Sequence, residues 1–241
     1  MTRYCPSRLQ VCLVAVRRAI SVATHCRTEG IAPVLCMARE THPVASRHLR
    51  TVISGLVAGV RPVDEREAAD QAGILTWIAS GDQLFRILPP ATPPQHLVSY
   101  FALVDPARHL VLLGDHVKSG LWLPSGGHVE DGEDPRDTVD REAFEELGIR
   151  ARFHDSLGAG RPFFLTATPT RGPGSHVDVS LWFVLSCDRD DELSPDPREY
   201  RSVRWFPLDR PEGWPAERFD PEMGRFAAKV MATLNSRVSA D

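Results

Sequence analysis

Residues 121–150 read LWLPSGGHVEDGEDPRDTVDREAFEELGIR, and local punctuation alone divides this stretch into loop, helix and loop. Asp134 has the short acceptor side chain that caps a helix. Pro135 follows in the first turn, where a missing N–H costs nothing, and Gly148 stands where a left-handed C-terminal cap belongs. The spacing predicts a helix from Pro135 to Leu147. At about 100° per residue, Glu142, Glu145 and Glu146 share one sector, while Ala143, Phe144 and Leu147 point to another side. Glu142 and Glu146 repel at i, i+4, Glu145 adds to the repulsion, and no Lys on the helix relieves it. Something cationic must compensate.

Oxygen ligands clustered this way suit a hard divalent ion, Mg²⁺ or alternatively Mn²⁺. Such an ion is commonly held by a few carboxylates while phosphate oxygens and water complete its shell. The substrate class that follows is a phosphate ester or anhydride. A solvated acidic face is the competing explanation of the helix alone, and the loop before it bears on the choice. Ser125-Gly126-Gly127 follows a short strand containing Trp122 and Leu123, and paired glycines let backbone groups approach an anion or metal with no Cβ in the way.

Outward from this segment, strand-like runs are expected at 97–104 and 109–113, joined by a turn at Asp105-Pro106-Ala107-Arg108. Further runs lie at 162–167, 177–185 and 203–206. Trp182 and Phe183 are neighbours on a strand and must face opposite sides, each most simply as core. A helix starts after Asp64, with Glu67 three residues on and apolar residues at helical spacing until Gly81. A stiff Pro-rich connector, LPPATPPQ, covers 88–95. A last helix is capped by Asp220, with Met223, Phe226, Ala227, Val230 and Leu234 on one face. Strands, helix, strands and helix in this order predict an α+β sandwich.

Net charge is −4 over 241 residues, but residues 1–50 carry +6 and the remainder −10. An acidic main body argues against an extended nucleic-acid surface and fits a protein that manages cations. No apolar run reaches the roughly 20 residues of a membrane span. Four of the five Cys lie in the first 36 residues, the count is odd and no C-x-x-C pair occurs, so neither a disulfide framework nor a zinc site follows, and a cytoplasmic location is the simplest expectation. Residues 1–60 are expected to be a poorly ordered Arg-rich extension. Its composition also fits an organelle transit peptide or, in a chain with 26 Arg and two Lys, a leader from a start codon placed too far upstream. Residues 61–95 are then a helix plus connector, and 96–241 the main domain.

Gly127, Glu133, Arg141, Glu142, Ala143, Glu145, Glu146, Gly148 and Ile149 follow the box of the Nudix hydrolases, G-x5-E-x7-R-E-U-x-E-E-x-G-U, with Ala143 smaller than the usual bulky U. Seven fixed positions match by chance at a rate on the order of 10⁻⁶ for the whole chain. The W-x-L-P-x-G-G lead-in, the HVDVSLWF strand and the E-x5-W-F segment ending at Phe206 extend the resemblance to about 96–236. The resemblance implies a Nudix-type α/β/α sandwich around a mixed β-sheet. It also implies metal-dependent hydrolysis of the P–O–P link in a nucleoside diphosphate joined to another group, or in a related organic pyrophosphate. Glu142, Glu145 and Glu146 correspond to its metal-binding carboxylates, and Gly126 to a backbone carbonyl ligand. Gly127, Glu133, Arg141 and Gly148 are then structural, Arg141 pairing with Glu133 to brace the loop, with Glu133 itself a further candidate near a metal.

The family places its general base either on a box glutamate or on a distant loop, for which Glu199, six residues before Trp205, is the candidate here, with Asp178 second. His116 and His128 are read as ordinary hydrogen-bonding residues. A homodimer is a family expectation. The competing function is a catalytically silent ligand-sensing or protein-binding module of the same fold, which an intact set of box carboxylates disfavours.

Overall fold

The computed structural model describes residues 43–170, 174–215 and 217–238. The described residues form one compact unit built from helices α1 (Pro43–Ala58), α2 (Glu65–Ser80), α3 (Pro135–Leu147) and α4 (Met223–Val238). The strands are β1 (Gln95–Asp105), β2 (Leu110–His116), β3 (Trp122–Leu123), β4 (Ser125–His128), β5 (Phe164–Pro169), β6 (Val177–Ser186) and β7 (Tyr200–Pro207), followed by a short 3-10 turn at Pro211–Gly213. The sheet runs β3-β2-β1-β6-β5, with β4 also pairing β1 and β7 also pairing β2. The β1–β6 ladder is parallel and every other ladder antiparallel. The expected mixed sheet is therefore present.

Period-two alternation sends the two faces of β1 and β6 into separate cores. Leu97, Phe101 and Leu103 of β1 join Val179, Leu181 and Phe183 of β6 with Val139, Ala143 and Leu147 of α3 and with Ile53, Val57, Ile74 and Ile78 of the first two helices. On the other face, Ala102, Val104, Trp182 and Val184 pack on Met223, Phe226, Ala227 and Val230 of α4. This is the expected α/β/α sandwich. Trp182 and Phe183 take opposite faces and both are core residues.

Helix α2 has the expected caps: the Asp64 side chain accepts from the Glu67 N–H, and Gly81 is left-handed at φ +90°. Glu67, 0% exposed, accepts from Lys229 Nζ at 2.7 Å, from the Val63 N–H at 2.7 Å and from the Leu165 N–H at 3.2 Å. One carboxylate thus ties α2, α4 and β5 together.

The boundary at residue 60 needs correction. Ile53, Leu56, Val57 and Val60 are buried at i, i+3, i+4 and i+7, so α1 packs against α2 and joins the same core, and a poorly ordered extension does not reach residue 60. The expectation for residues 1–42 lies outside the described residues. Phe144 also departs from its expected side: it is 67% exposed, whereas Ala143 and Leu147 are buried.

Candidate active site

Strand β4 and helix α3 carry the box. β4 lies antiparallel to β1 with Gly126 opposite Tyr100 and Gly127 opposite Ser99. At Gly126 (φ +145°) a Cβ would collide with the Ser99 carbonyl oxygen, and at Gly127 it would fall inside the Glu142 carboxylate. The glycine pair therefore makes room for β1 on one side and for a functional carboxylate on the other. Ser99 Oγ donates to the Pro135 carbonyl at 2.9 Å, which fixes the start of α3 to the sheet. Asp134 caps it by accepting from the Arg136 N–H, and Gly148 (φ +71°) closes it with its N–H on the Phe144 carbonyl.

Glu146 is 8% exposed, and its Oε2 accepts from Tyr200 Oη at 2.7 Å and from the Gly126 N–H at 3.1 Å. Burial pushes its carboxyl up from 4.5 to about 7, against the Tyr200 hydrogen bond and with help from the neighbouring charge of Glu142. Burial likewise raises Glu142, although Arg141 Nη1 donates to its Oε1 at 2.6 Å. Among the described residues Glu142 Oε2 and Glu146 Oε1 accept no hydrogen bond, and both glutamates line a cavity of about 1170 Å³. Two desolvated carboxylates with free oxygens fit a hard divalent cation, which would favour their ionised forms. Glu145, the third expected ligand, is 58% exposed, lies 3.6 Å from Arg141 Nη1 and is outside the cavity lining.

Arg141 supplies part of the cationic compensation. Its Nε and Nη2 grip the two oxygens of Glu133 at 3.0 and 3.1 Å, and Glu133 also accepts from Thr138 Oγ1 at 2.7 Å and the Glu130 N–H at 3.0 Å. These hydrogen bonds overcome the desolvation that would raise Glu133 and hold it below the usual carboxylate range. A bidentate pair so engaged braces the loop.

Glu199 lines the same cavity, with Lys118 Nζ at 3.3 Å from both its oxygens and His116 Nε2 at 3.5 Å. Burial lowers the pKa of His116 in spite of this carboxylate. Tyr200, next in sequence, was missed by sequence reasoning. Its hydroxyl bonds both Glu146 and Ser125 Oγ, the latter at 2.9 Å, so the first residue of β7 holds Glu146 in place.

The largest omission is a group formed by His96, His128, His176 and Asp178. In sequence His128 looked ordinary and Asp178 was a second candidate base, yet the structure brings them together with His96, which is 0% exposed. The His96 and His176 rings stack with centroids 4.7 Å apart. Burial lowers the pKa of His96, and lowers that of His128 to about 3 with help from the Arg86 charge. Burial raises the pKa of Asp178. The His176-x-Asp178 spacing at the entry to β6 was the available signal; its partner His96 is visible only once β1 and β6 pair.

Residues 94–230 match the family model described as the NUDIX domain. Among curated proteins, the chain is 30% identical over 133 residues to the NAD-capped RNA hydrolase NudC of Actinobacillus succinogenes, an alignment covering 52% of this chain and 44% of that protein. The chain spans less than half the length of the curated relatives it matches. Among solved structures, it resembles a NUDIX-family hydrolase from Clostridium perfringens (TM-score 0.40, 21% identity, 58% of this chain and 96% of that one). It also resembles an Ap4A hydrolase from C. elegans (TM-score 0.45, 18% identity, 58% and 98%). Among the described residues no helix is long and apolar enough to cross a membrane.

Proposed function

The chain belongs to the Nudix family, whose domain it matches over residues 94–230, and from that premise we propose that it is a metal-dependent pyrophosphohydrolase. Its substrate is a nucleoside diphosphate joined to a second group, or a related organic pyrophosphate. The observation that carries this is the pair of carboxylates, buried Glu146 and half-buried Glu142, lining one cavity of about 1170 Å³. That volume exceeds the roughly 300–1,000 Å³ usual for small-molecule sites and suits a ligand with two large halves. The name of the Actinobacillus relative points the same way, because an NAD cap contains a diphosphate between two nucleosides.

Glu142 and Glu146, with the Gly126 carbonyl, would hold Mg²⁺ or Mn²⁺. Glu145 is the outer member of the set, because it stands exposed on the same helix face. When bound, the ion neutralises diphosphate oxygens and activates water for attack on phosphorus. The protein's own groups do the rest. Arg141 and Glu133 keep the loop rigid, and Tyr200 and the Gly126 N–H hold Glu146 at one oxygen, which leaves the other available to a cation. Glu199 is the proposed general base: it lies in the cavity wall, with the ammonium of Lys118 3.3 Å from both its oxygens. A panel of nucleoside diphosphate derivatives, incubated with and without Mg²⁺ or Mn²⁺ and read by product mass, tests the proposal. Cleavage between the phosphorus atoms that requires metal supports it. Tight binding of one compound without cleavage would make the protein a silent sensor.

A further inference from the structure

His96, His128, His176 and Asp178 each bring one ligand atom to within 4.8 Å of the others, and pyrophosphate hydrolysis as described uses none of them. Three adjacent strands place them at one end of the sheet. His96 on β1 is in register with Asp178 on β6, His176 precedes β6 by one residue, and His128 ends β4 opposite Val98 of β1.

The hydrogen-bond partners fix where the protons sit. His96 Nδ1 lies 2.9 Å from the Pro93 carbonyl oxygen, and a carbonyl only accepts, so Nδ1 carries the hydrogen and Nε2 of the neutral ring is a bare lone pair. His176 Nδ1 lies 3.0 Å from the Gly174 carbonyl oxygen and 3.2 Å from Thr170 Oγ1, whose own hydrogen can go to the His176 carbonyl, so the carbonyl contact again puts the hydrogen on Nδ1. The two Nε2 atoms stand 3.6 and 3.2 Å from one oxygen, Oδ1 of Asp178. Among the described residues His96 Nε2 and Asp178 Oδ1 are both buried without a well-aligned hydrogen-bond partner. Three electron-pair donors thus crowd together, an arrangement that costs free energy in a buried site unless a proton or a cation joins them.

A single proton satisfies one N···O contact and leaves the other, whereas a cation satisfies all three. A tetrahedral ion with ligands at about 2.0–2.2 Å sets its ligand atoms about 3.4 Å apart, between the two separations observed here. Imidazoles joined by one carboxylate select a borderline transition metal over Mg²⁺. We propose that His96, His176 and Asp178, with His128 as fourth ligand, form a transition-metal site of the Zn²⁺ class, distinct from the glutamate site of the box. His128 joins by exchanging its present hydrogen bond from Arg86 Nη1, 3.2 Å from Nε2, for the ion. Because His128, His176 and Asp178 line the same cavity as Glu146, an ion there faces the same bound ligand. The site stands whether or not the chain hydrolyses a pyrophosphate.

The test uses the full chain, stripped of metal with a chelator, dialysed, and titrated with Co²⁺ in excess Mg²⁺. The wild type should develop the visible d–d bands of imidazole-bound Co²⁺, and Zn²⁺ should bleach them by displacement. Asp178→Asn and His176→Ala should lose the bands, with affinity reduced by more than the roughly 10–100-fold that loss of an outer-shell partner costs. Glu146→Gln should keep them. Circular dichroism checks the folds, and should His176→Ala fail to fold, the isosteric Asp178→Asn decides. Absence of the bands in the wild type overturns the proposal. So does binding that survives Asp178→Asn and disappears in Glu146→Gln, which would assign the ion to the box.

Discussion

Replacing Glu146 by Gln should abolish hydrolysis and, in metal-free protein, raise stability. Burial lifts this carboxyl from 4.5 to about 7. For an acid, such a lift is a folded-state penalty on the ionised form: absent below the ordinary value, growing between the two, constant above the higher one. At about 1.36 kcal/mol per pH unit, the full penalty is about 3 kcal/mol at pH 8. Gln carries no charge. Its amide oxygen can take the place of Oε2 and keep the hydrogen bonds from Tyr200 and the Gly126 N–H, while its amide nitrogen replaces an oxygen with no protein partner. In a chelator-containing buffer at pH 8 the variant should melt roughly 6–12 °C above wild type, taking about 2–4 °C per kcal/mol for a chain of this size. The gap should close as pH falls below about 4.5, where Glu146 becomes protonated in both states. Mg²⁺ should narrow it from the other side by stabilising wild type alone. A variant that melts at or below wild type at pH 8, or a gap independent of pH, would refute the claim that Glu146 is held in a desolvated, metal-awaiting state.

Three further perturbations test other parts of the account. Gly127→Ala places a methyl group inside the space of the Glu142 carboxylate; metal affinity measured by calorimetry should fall, with stability reduced by about 1–3 kcal/mol as in other overpacked sites. Glu67→Ala strands Lys229 in the interior beside the unpaired Leu165 N–H, and denaturant unfolding should show a loss of about 3–5 kcal/mol. Asp105 accepts from the Arg108 side chain at 2.7 Å, and although desolvation opposes it, its pKa lies below the usual range. Its contribution is present above about pH 4 and lost as pH falls through the depressed value, so Asp105→Asn should flatten the acid limb of stability against pH without changing its neutral arm's slope.

Local features were legible in the sequence because their causes are local. The caps of α3 and the carboxylate spacing depend on neighbours within one or two turns, and Asp134, Gly148, Glu142 and Glu146 lie where those rules put them. Phe144 shows the limit: angle alone grouped it with Ala143 and Leu147, but the neighbouring core ends before reaching it. Helix α1 was hidden by composition, since the Arg-rich stretch before it drew attention from the helical spacing of Ile53, Leu56, Val57 and Val60. The histidine group was illegible for a different reason. His96, His128 and Asp178 belong to three strands, and only the β1–β4 and β1–β6 registers bring them together. Tyr200 likewise reaches Glu146 only through the β2–β7 pairing that places its ring over Gly114, a position where any Cβ would strike it.

The central claim, that water attacks phosphorus at the Glu142–Glu146 site, is tested most directly by running the reaction in isotopically labelled water with Mg²⁺. Wild type should place one labelled oxygen in a phosphate-bearing product, and Glu142→Gln and Glu146→Gln, confirmed as folded, should lose that incorporation. Label in a non-phosphate product, or incorporation that persists in both variants, would contradict the account.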